Sequence, residues 1–374
     1  MIVAAALQAK NRAPAPGGDV RREGTESKLV VFADTDNMSL GGPIRTTGCL
    51  AGLVLLALAG GCTPFAELRA EASMKRGDTH LDADDLDAAL TEFQHAVELN
   101  PKLALAHSKV GSVFRRRGDY KAAARAFAEA VKLNPFSFED SFALAEMYHK
   151  LARFAEALRA YLHACEVDPG NFEARLNLGV CYHQAAELNN AVDCYTQALE
   201  LDPDQPAAYT NLGAAYHAQG KYYEAIHAYN ESLERDPQQP MVLVNLAITL
   251  MKQGRFPNAR KALERAIEVD PELAVAYERS GYCHFRMGRY EEALKHYDWA
   301  TTLNPKMPEP HAGLGVTRMA MHLREPQNLE LRRMAVEHWH RSLELKPDQP
   351  RIRNLVKKYQ LPLADSTAIL MDMP

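Results

Sequence analysis

A proline recurs at a fixed interval along most of this chain, and that interval constrains the fold more than any other feature. Pro101, Pro135, Pro169, Pro203, Pro237, Pro271 and Pro305 stand 34 residues apart, each after Asp or Asn, and Pro347 follows after an insertion of eight. The residue before a proline is pushed out of the helical region, so each step ends a helix. With the proline as position 32, units begin at residues 70, 104, 138, 172, 206, 240, 274 and 308. Self-similarity at such a period marks a repeat array and not a few large domains.

Other positions keep the same beat. Position 8 is small in every unit (Gly77, Gly111, Ala145, Gly179, Gly213, Ala247, Gly281, Gly315), and position 20 is always Ala, from Ala89 to Ala335. Position 24 is large throughout: Phe93, Phe127, Tyr161, Tyr195, Tyr229, Leu263, Tyr297 and Trp339. Small residues let two helices approach, and the large ones fill the recess they leave. "RGDY", "QGKY", "QGRF" and "MGRY" place a glycine where a first helix ends and the chain turns. Each unit therefore reads as a helical hairpin that must stack on its neighbours to bury its apolar stripe.

These residues resemble the tetratricopeptide repeat family, whose W-x2-L-G-x2-Y, Ala, Phe, Ala, Pro pattern is met in register over residues 70–349. The resemblance implies an all-α fold, a right-handed α-solenoid of eight hairpins with an inner groove lined by the first helix of each. Both end units depart from the pattern, as capping repeats do: the first has "DADDLD" at its turn, and the eighth carries the insertion in "HLREPQNLEL". Residues 350–361 read as a polar-faced capping helix and 362–374 as a tail without packing pattern.

The amino-terminal part reads differently. Residues 1–37 lack helical period and targeting logic, which is expected of an over-long start or a disordered segment, with Met38 as the true start. Residues 38–61 combine Arg45, an apolar run from about Cys49 to Ala59 and small residues. About a dozen apolar residues are too few to span a bilayer, which takes roughly 20, but they suit a signal peptide. "AGGC", ending at Cys62, resembles the lipobox of bacterial lipoproteins, with Ala59 where a branched residue is more usual. That resemblance implies lipidation of Cys62, a short linker over 62–69, a membrane anchor and a periplasmic address; Thr63 after the cysteine points to the outer membrane. The alternative is an uncleaved apolar anchor or a cytoplasmic protein.

The net charge of −5 and the lack of a basic stripe argue against nucleic acid as a partner. His149, His183 and His217 share position 12 of successive units. Packed helices are spaced by about 10 Å, too far for one zinc with ligands about 2 Å away, so these histidines are expected to line the groove and bind no metal. His338 and His340 are two apart on a helix and cannot chelate together, and "GLGVTR" is a packing segment and not a nucleotide loop. Cys181 and Cys194 fall at about the same height on facing helices of one hairpin. They are a possible disulfide in an oxidising compartment, or small half-buried hydrophobes. No catalytic constellation and no cofactor signature is left over, so an enzyme is not expected.

The groove carries the functional reading. Position 6 is Asn177, Asn211 and Asn245 in three successive units and Arg279 in the next. An Asn side chain can donate to a peptide carbonyl and accept from its N–H, which holds an extended backbone regardless of sequence. Leu176, Val180, Val244, Ile248, Met251, Tyr282 and Phe285 add apolar positions for a ligand's side chains. A similar asparagine ladder marks the repeat domain of O-linked N-acetylglucosamine transferase, and Asn245 with Arg279 matches part of the carboxylate clamp of chaperone adaptors. The expected function is a non-enzymatic scaffold that binds a protein or extended peptide. It resembles lipid-anchored adaptors of the bacterial envelope, such as pilotins and hydrolase adaptors. A substrate-recognition subunit for a glycosyltransferase and a self-assembling structural protein are the alternatives.

Overall fold

The computed structural model describes residues 63–360, which form 17 α-helices with no strand among them. They fall into two compact units, residues 63–160 and 161–360. The first unit contains α1 (Thr63–Asp82), α2 (Leu86–Leu99), α3 (Ala104–Arg116), α4 (Tyr120–Leu133), α5 (Phe138–Lys150) and the start of α6 (Phe154–Val167). The second continues with α7 (Phe172–Gln184), α8 (Leu188–Leu201), α9 (Pro206–Ala218), α10 (Tyr222–Arg235), α11 (Pro240–Lys252) and α12 (Phe256–Val269). It ends with α13 (Ala274–Arg286), α14 (Tyr290–Leu303), α15 (Pro308–His322), α16 (Leu329–Leu345) and α17 (Pro350–Tyr359). Within each unit the helices pack pairwise as hairpins in chain order.

The Asp or Asn before each marker proline does more than end a helix. Asn100 Oδ1 accepts from the backbone N–H of Lys102 at 3.2 Å, and Asn134, Asp168, Asp202, Asp236, Asp270 and Asn304 make the same bond two residues on. Seven Asx turns thus set the angle at which one hairpin hands the chain to the next. The first helix of the following hairpin starts on a side-chain cap, as at Ser137 and Asn171. Others start on a proline whose missing N–H is not needed there, as at Pro206, Pro240 and Pro308, and the closing helix does so at Pro350.

The turn inside each of the first seven hairpins takes one residue into the left-handed region. Gly118, Gly220, Gly254 and Gly288 take it with φ between 73° and 78°. Where the sequence offers no glycine, Asp84, Ala152 and Ala186 adopt φ of 57°, 55° and 62°. A Cβ in that conformation costs about 1–2 kcal/mol, so hairpin packing holds these turns against local preference.

The recess at position 8 is real. A Cβ on Gly179 would lie 2.6 Å from the Tyr195 ring, and one on Gly315 would meet Trp339 at 2.4 Å and the Ala335 carbonyl at 2.7 Å. Where the small residue is Ala247, the facing large residue is the slimmer Leu263. In residues 161–360 the first helices also touch one another in sequence, α7 with α9, α9 with α11, α11 with α13 and α13 with α15. The α17 helix closes this unit: Val356 packs with Trp339, Ala335 and Met319, and Arg332 Nε donates to the Tyr359 carbonyl at 2.9 Å.

One expectation is corrected and one open alternative is resolved. Residues 63–69, read as linker, are the opening turns of α1, because Pro64 is tolerated in a first turn and Ala66 to Ala70 are almost all good helix formers. Cys181 and Cys194 are free thiols, buried like Cys165 and Cys283. Burial pushes Cys181 up to about 12 and Cys194 up to about 11, which keeps both protonated and inert. Cys62, the proposed signal segment 38–61 and the tail 362–374 lie outside the described residues.

Candidate functional site: the inner helices of residues 161–360

The position-6 residues stand at one register on α7, α9, α11 and α13, the helices that adjoin in sequence. Asn177 is half-buried, while Asn211 and Asn245 are each only 6% exposed. No hydrogen bond within the described residues engages the side-chain amide of any of the three. Buried amides are ordinarily hydrogen-bonded, since leaving one unpaired costs about 1–3 kcal/mol. These amides on adjoining helices therefore keep their capacity to donate and to accept. Around them the first helices of two hairpins carry no charge before Lys252 at the end of α11: no Asp, Glu, Lys or Arg occurs in residues 206–218 or 240–251.

The histidine column has another use. His217 Nδ1 pairs with Thr249 Oγ1 at 2.8 Å, a tie from α9 to α11, and its ring meets Tyr222 edge-on. His183 faces the backbone of Ala214 on α9, and burial holds its ring below the usual imidazole range. His217 is pushed down in the same direction by burial and then by Lys252. These two are joints between hairpins more than ligand contacts. His149, in the other unit, packs edge-on against Phe154.

The apolar positions divide. Leu176, Val180 and Val244 pack into the hairpin cores. Ile248, Met251, Tyr282 and Phe285 remain partly exposed. The Arg286 guanidinium lies 4.5 Å from the Phe256 ring centroid and 5.7 Å from that of Tyr282, and donates to Tyr282 Oη at 2.8 Å. The patch at this end of the inner helices is therefore cationic and aromatic.

One residue beside the ladder is not legible from the repeat pattern. Glu278 is 5% exposed at position 5 of its hairpin, where preceding units carry Leu176, Thr210 and Val244. Its Oε2 stands 3.0 Å from Arg279 Nε, yet neither atom makes a hydrogen bond. Burial pushes the Glu278 carboxyl up to about 7; Arg279 pulls it down and Glu309 pushes it further up. A charge within an otherwise uncharged column was the available signal.

Residues 46–304 match the family described as the cilia and flagella-associated protein 70 C-terminal domain, a tetratricopeptide repeat family. The chain belongs to this tetratricopeptide repeat family. Among solved structures, the Cut9–Hcn1 hetero-tetramer of APC/C aligns with a TM-score of 0.52 at 16% identity, over 74% of this chain and 53% of that one. This chain thus spans about half of that protein. The C-terminal part of a tetratricopeptide repeat protein from Cytophaga hutchinsonii aligns at 0.54 and 15% identity, covering 65% of this chain and 97% of that chain. One from Parabacteroides merdae aligns at 0.50 and 18%, covering 63% and 94% respectively. These likenesses show the fold. No curated protein matches the chain in sequence. Tetratricopeptide repeat proteins generally bind proteins or peptides and are generally non-enzymatic scaffolds.

Proposed function

We propose that this tetratricopeptide repeat chain is an interaction scaffold that holds an extended peptide segment of a partner along α7, α9, α11 and α13. The observation that carries the reading is the set of side-chain amides, Asn177, Asn211 and Asn245, that lie at one register and make no hydrogen bond within the described residues. Each can donate to a carbonyl and accept from an N–H of a backbone laid across it, and the Arg279 guanidinium extends the row. Ile248, Met251, Tyr282 and Phe285 offer apolar contact for alternate side chains of such a segment.

The test places a photo-crosslinking residue at Asn211 in cells, in the parent and in Asn177→Ala/Asn245→Ala. A defined partner is expected in the parent and should fall at least tenfold in the double variant at unchanged melting temperature. Equal capture in both would remove the amides from the binding surface.

We further propose that the chain is tethered to a membrane through a lipid on Cys62, making it an adaptor of the bacterial envelope. The support is the sequence alone: the short apolar run ending in "AGGC". Among the described residues no helix is long and apolar enough to cross a membrane. Cells fed an alkyne fatty acid are expected to label the parent and not Cys62→Ser; label retained in the variant would overturn the tether.

A further inference from the structure

Beside the amide row the inner face carries a charge arrangement that hydrogen bonding alone does not explain. Glu278 and Arg279 are neighbours on α13, and Glu309 stands two helices on, at the start of α15, the first helix of the next hairpin. Glu278 is nine-tenths buried, and its Oε2 is a buried atom without a hydrogen bond that faces Arg279 Nε at 3.0 Å without alignment. A buried carboxylate is costly unless paired and hydrogen-bonded, and one misaligned guanidinium contact does not supply that. With Glu278 ionised, the trio Glu278, Arg279 and Glu309 carries one net negative charge. The other groups that Glu278 faces add none at neutral pH: Tyr297 and Cys283 are both pushed well above their usual ranges by burial. Arg286, two turns along α13, is committed to the faces of Phe256 and Tyr282.

We propose that Glu278, backed by Glu309, is a specificity-determining residue of the inner face that accepts one cationic group, a Lys or Arg side chain or an amino terminus, of the bound segment. This rests on the peptide-binding reading above and deepens it: the amides hold backbone, and Glu278 reads charge at one place. Position supports the assignment. Glu278 adjoins the row's last member in sequence, and Gly313 leaves the same register on α15 without a side chain, so a ligand group passing the row meets no further amide. The tip of the Tyr297 ring occupies that space, since a Cβ on Gly313 would lie 2.4 Å from Tyr297 Cζ. A cation at Glu278 would also draw its proton off. Affinity for a basic ligand should then rise with pH from 6 to 8, because the free protein holds Glu278 partly protonated over that range.

The experiment pans a random dodecapeptide phage library on the purified full chain at pH 7.5, then measures affinities of the recovered peptide and of its Lys→norleucine version. The expected result is a basic residue at one fixed place in the recovered peptides. Affinity should fall about tenfold in Glu278→Gln, and the pH dependence should vanish, with the norleucine peptide binding parent and variant alike. Peptides without a basic position, acidic peptides drawn to Arg279, or equal binding to Glu278→Gln would overturn the assignment. In those cases the groove reading stands if Asn211→Ala still abolishes binding. Recovery of no peptide by the folded parent would overturn both readings together.

Discussion

Trp339→Ala is expected to cost about 3–5 kcal/mol and to unfold the carboxyl-terminal end before anything else. The ring is fully buried over Gly315, in a recess that could not take even a methyl group. It is surrounded by Met319, Ala335 and Val356, and lies 6.1 Å from the Tyr359 ring. Its indole N–H makes no hydrogen bond, so its contribution is packing, and Trp339→Phe should lose only about 1–2 kcal/mol. In a repeat array each hairpin touches only its neighbours, so destabilisation stays local. Hydrogen exchange should show protection lost in α15, α16 and α17 while α7 to α12 keep theirs. Uniform loss across residues 161–360 would mean that these hairpins fold as one cooperative block.

How far the fold could be read from the sequence depends on which interactions repeat. The proline ladder, the small residue at position 8 and the large one at position 24 recur in every unit, so their consequence, stacked hairpins, was legible. The Asx turns behind the Asp-Pro and Asn-Pro steps were visible only as a composition until the 3.0–3.3 Å bonds gave them a purpose. Ala152 and Ala186 show the reverse case, in which tertiary packing imposes a left-handed turn that the residue itself disfavours. The site was harder to read, because repeat position tells where a residue points and not what it already holds. Asn211 and His217 lie six residues apart on α9, and their repeat positions alike suggest groove lining; Thr249 engages the histidine, while no described residue engages the amide. Glu278 is the single charged residue in a column that is uncharged in every other unit, so the repeat pattern does not announce it. Leu176, Val180 and Val244 share the inner helices with the amides, but packing in the hairpin cores buries them.

Stability is expected to fall as pH is lowered from 7.5 to 5, and the competing groups make that fall diagnostic. His183, His217, His284, His296, His311 and His338 are all pushed below the usual imidazole range, burial being the first cause in each. Four of them form stacked pairs: His284 with His296 at 5.0 Å between centroids, and His311 with His338 at 5.8 Å. A depressed imidazole contributes stability that is fully present above about pH 6.5 and is lost as pH falls toward its folded value. For His338, pushed down to about 4, that is about 1–2 kcal/mol at pH 5 after allowing for solvent screening. Glu278 acts the other way. Its carboxyl is raised to about 7, so its stabilising effect is lost as pH rises through 7 and regained on acidification, about 2 kcal/mol between pH 7.5 and 5. It therefore cancels roughly one histidine. Asp298, raised by burial, assists it, and the remaining histidines decide the sign. Melting curves across this range should show the parent destabilised by acid, His338→Gln less so, and Glu278→Gln about 2 kcal/mol more so. A parent that melts higher at pH 5 than at pH 7.5 would mean that the paired imidazoles reach water on a timescale that spares them the cost of burial, and that Glu278 controls the acid response of this end of the array.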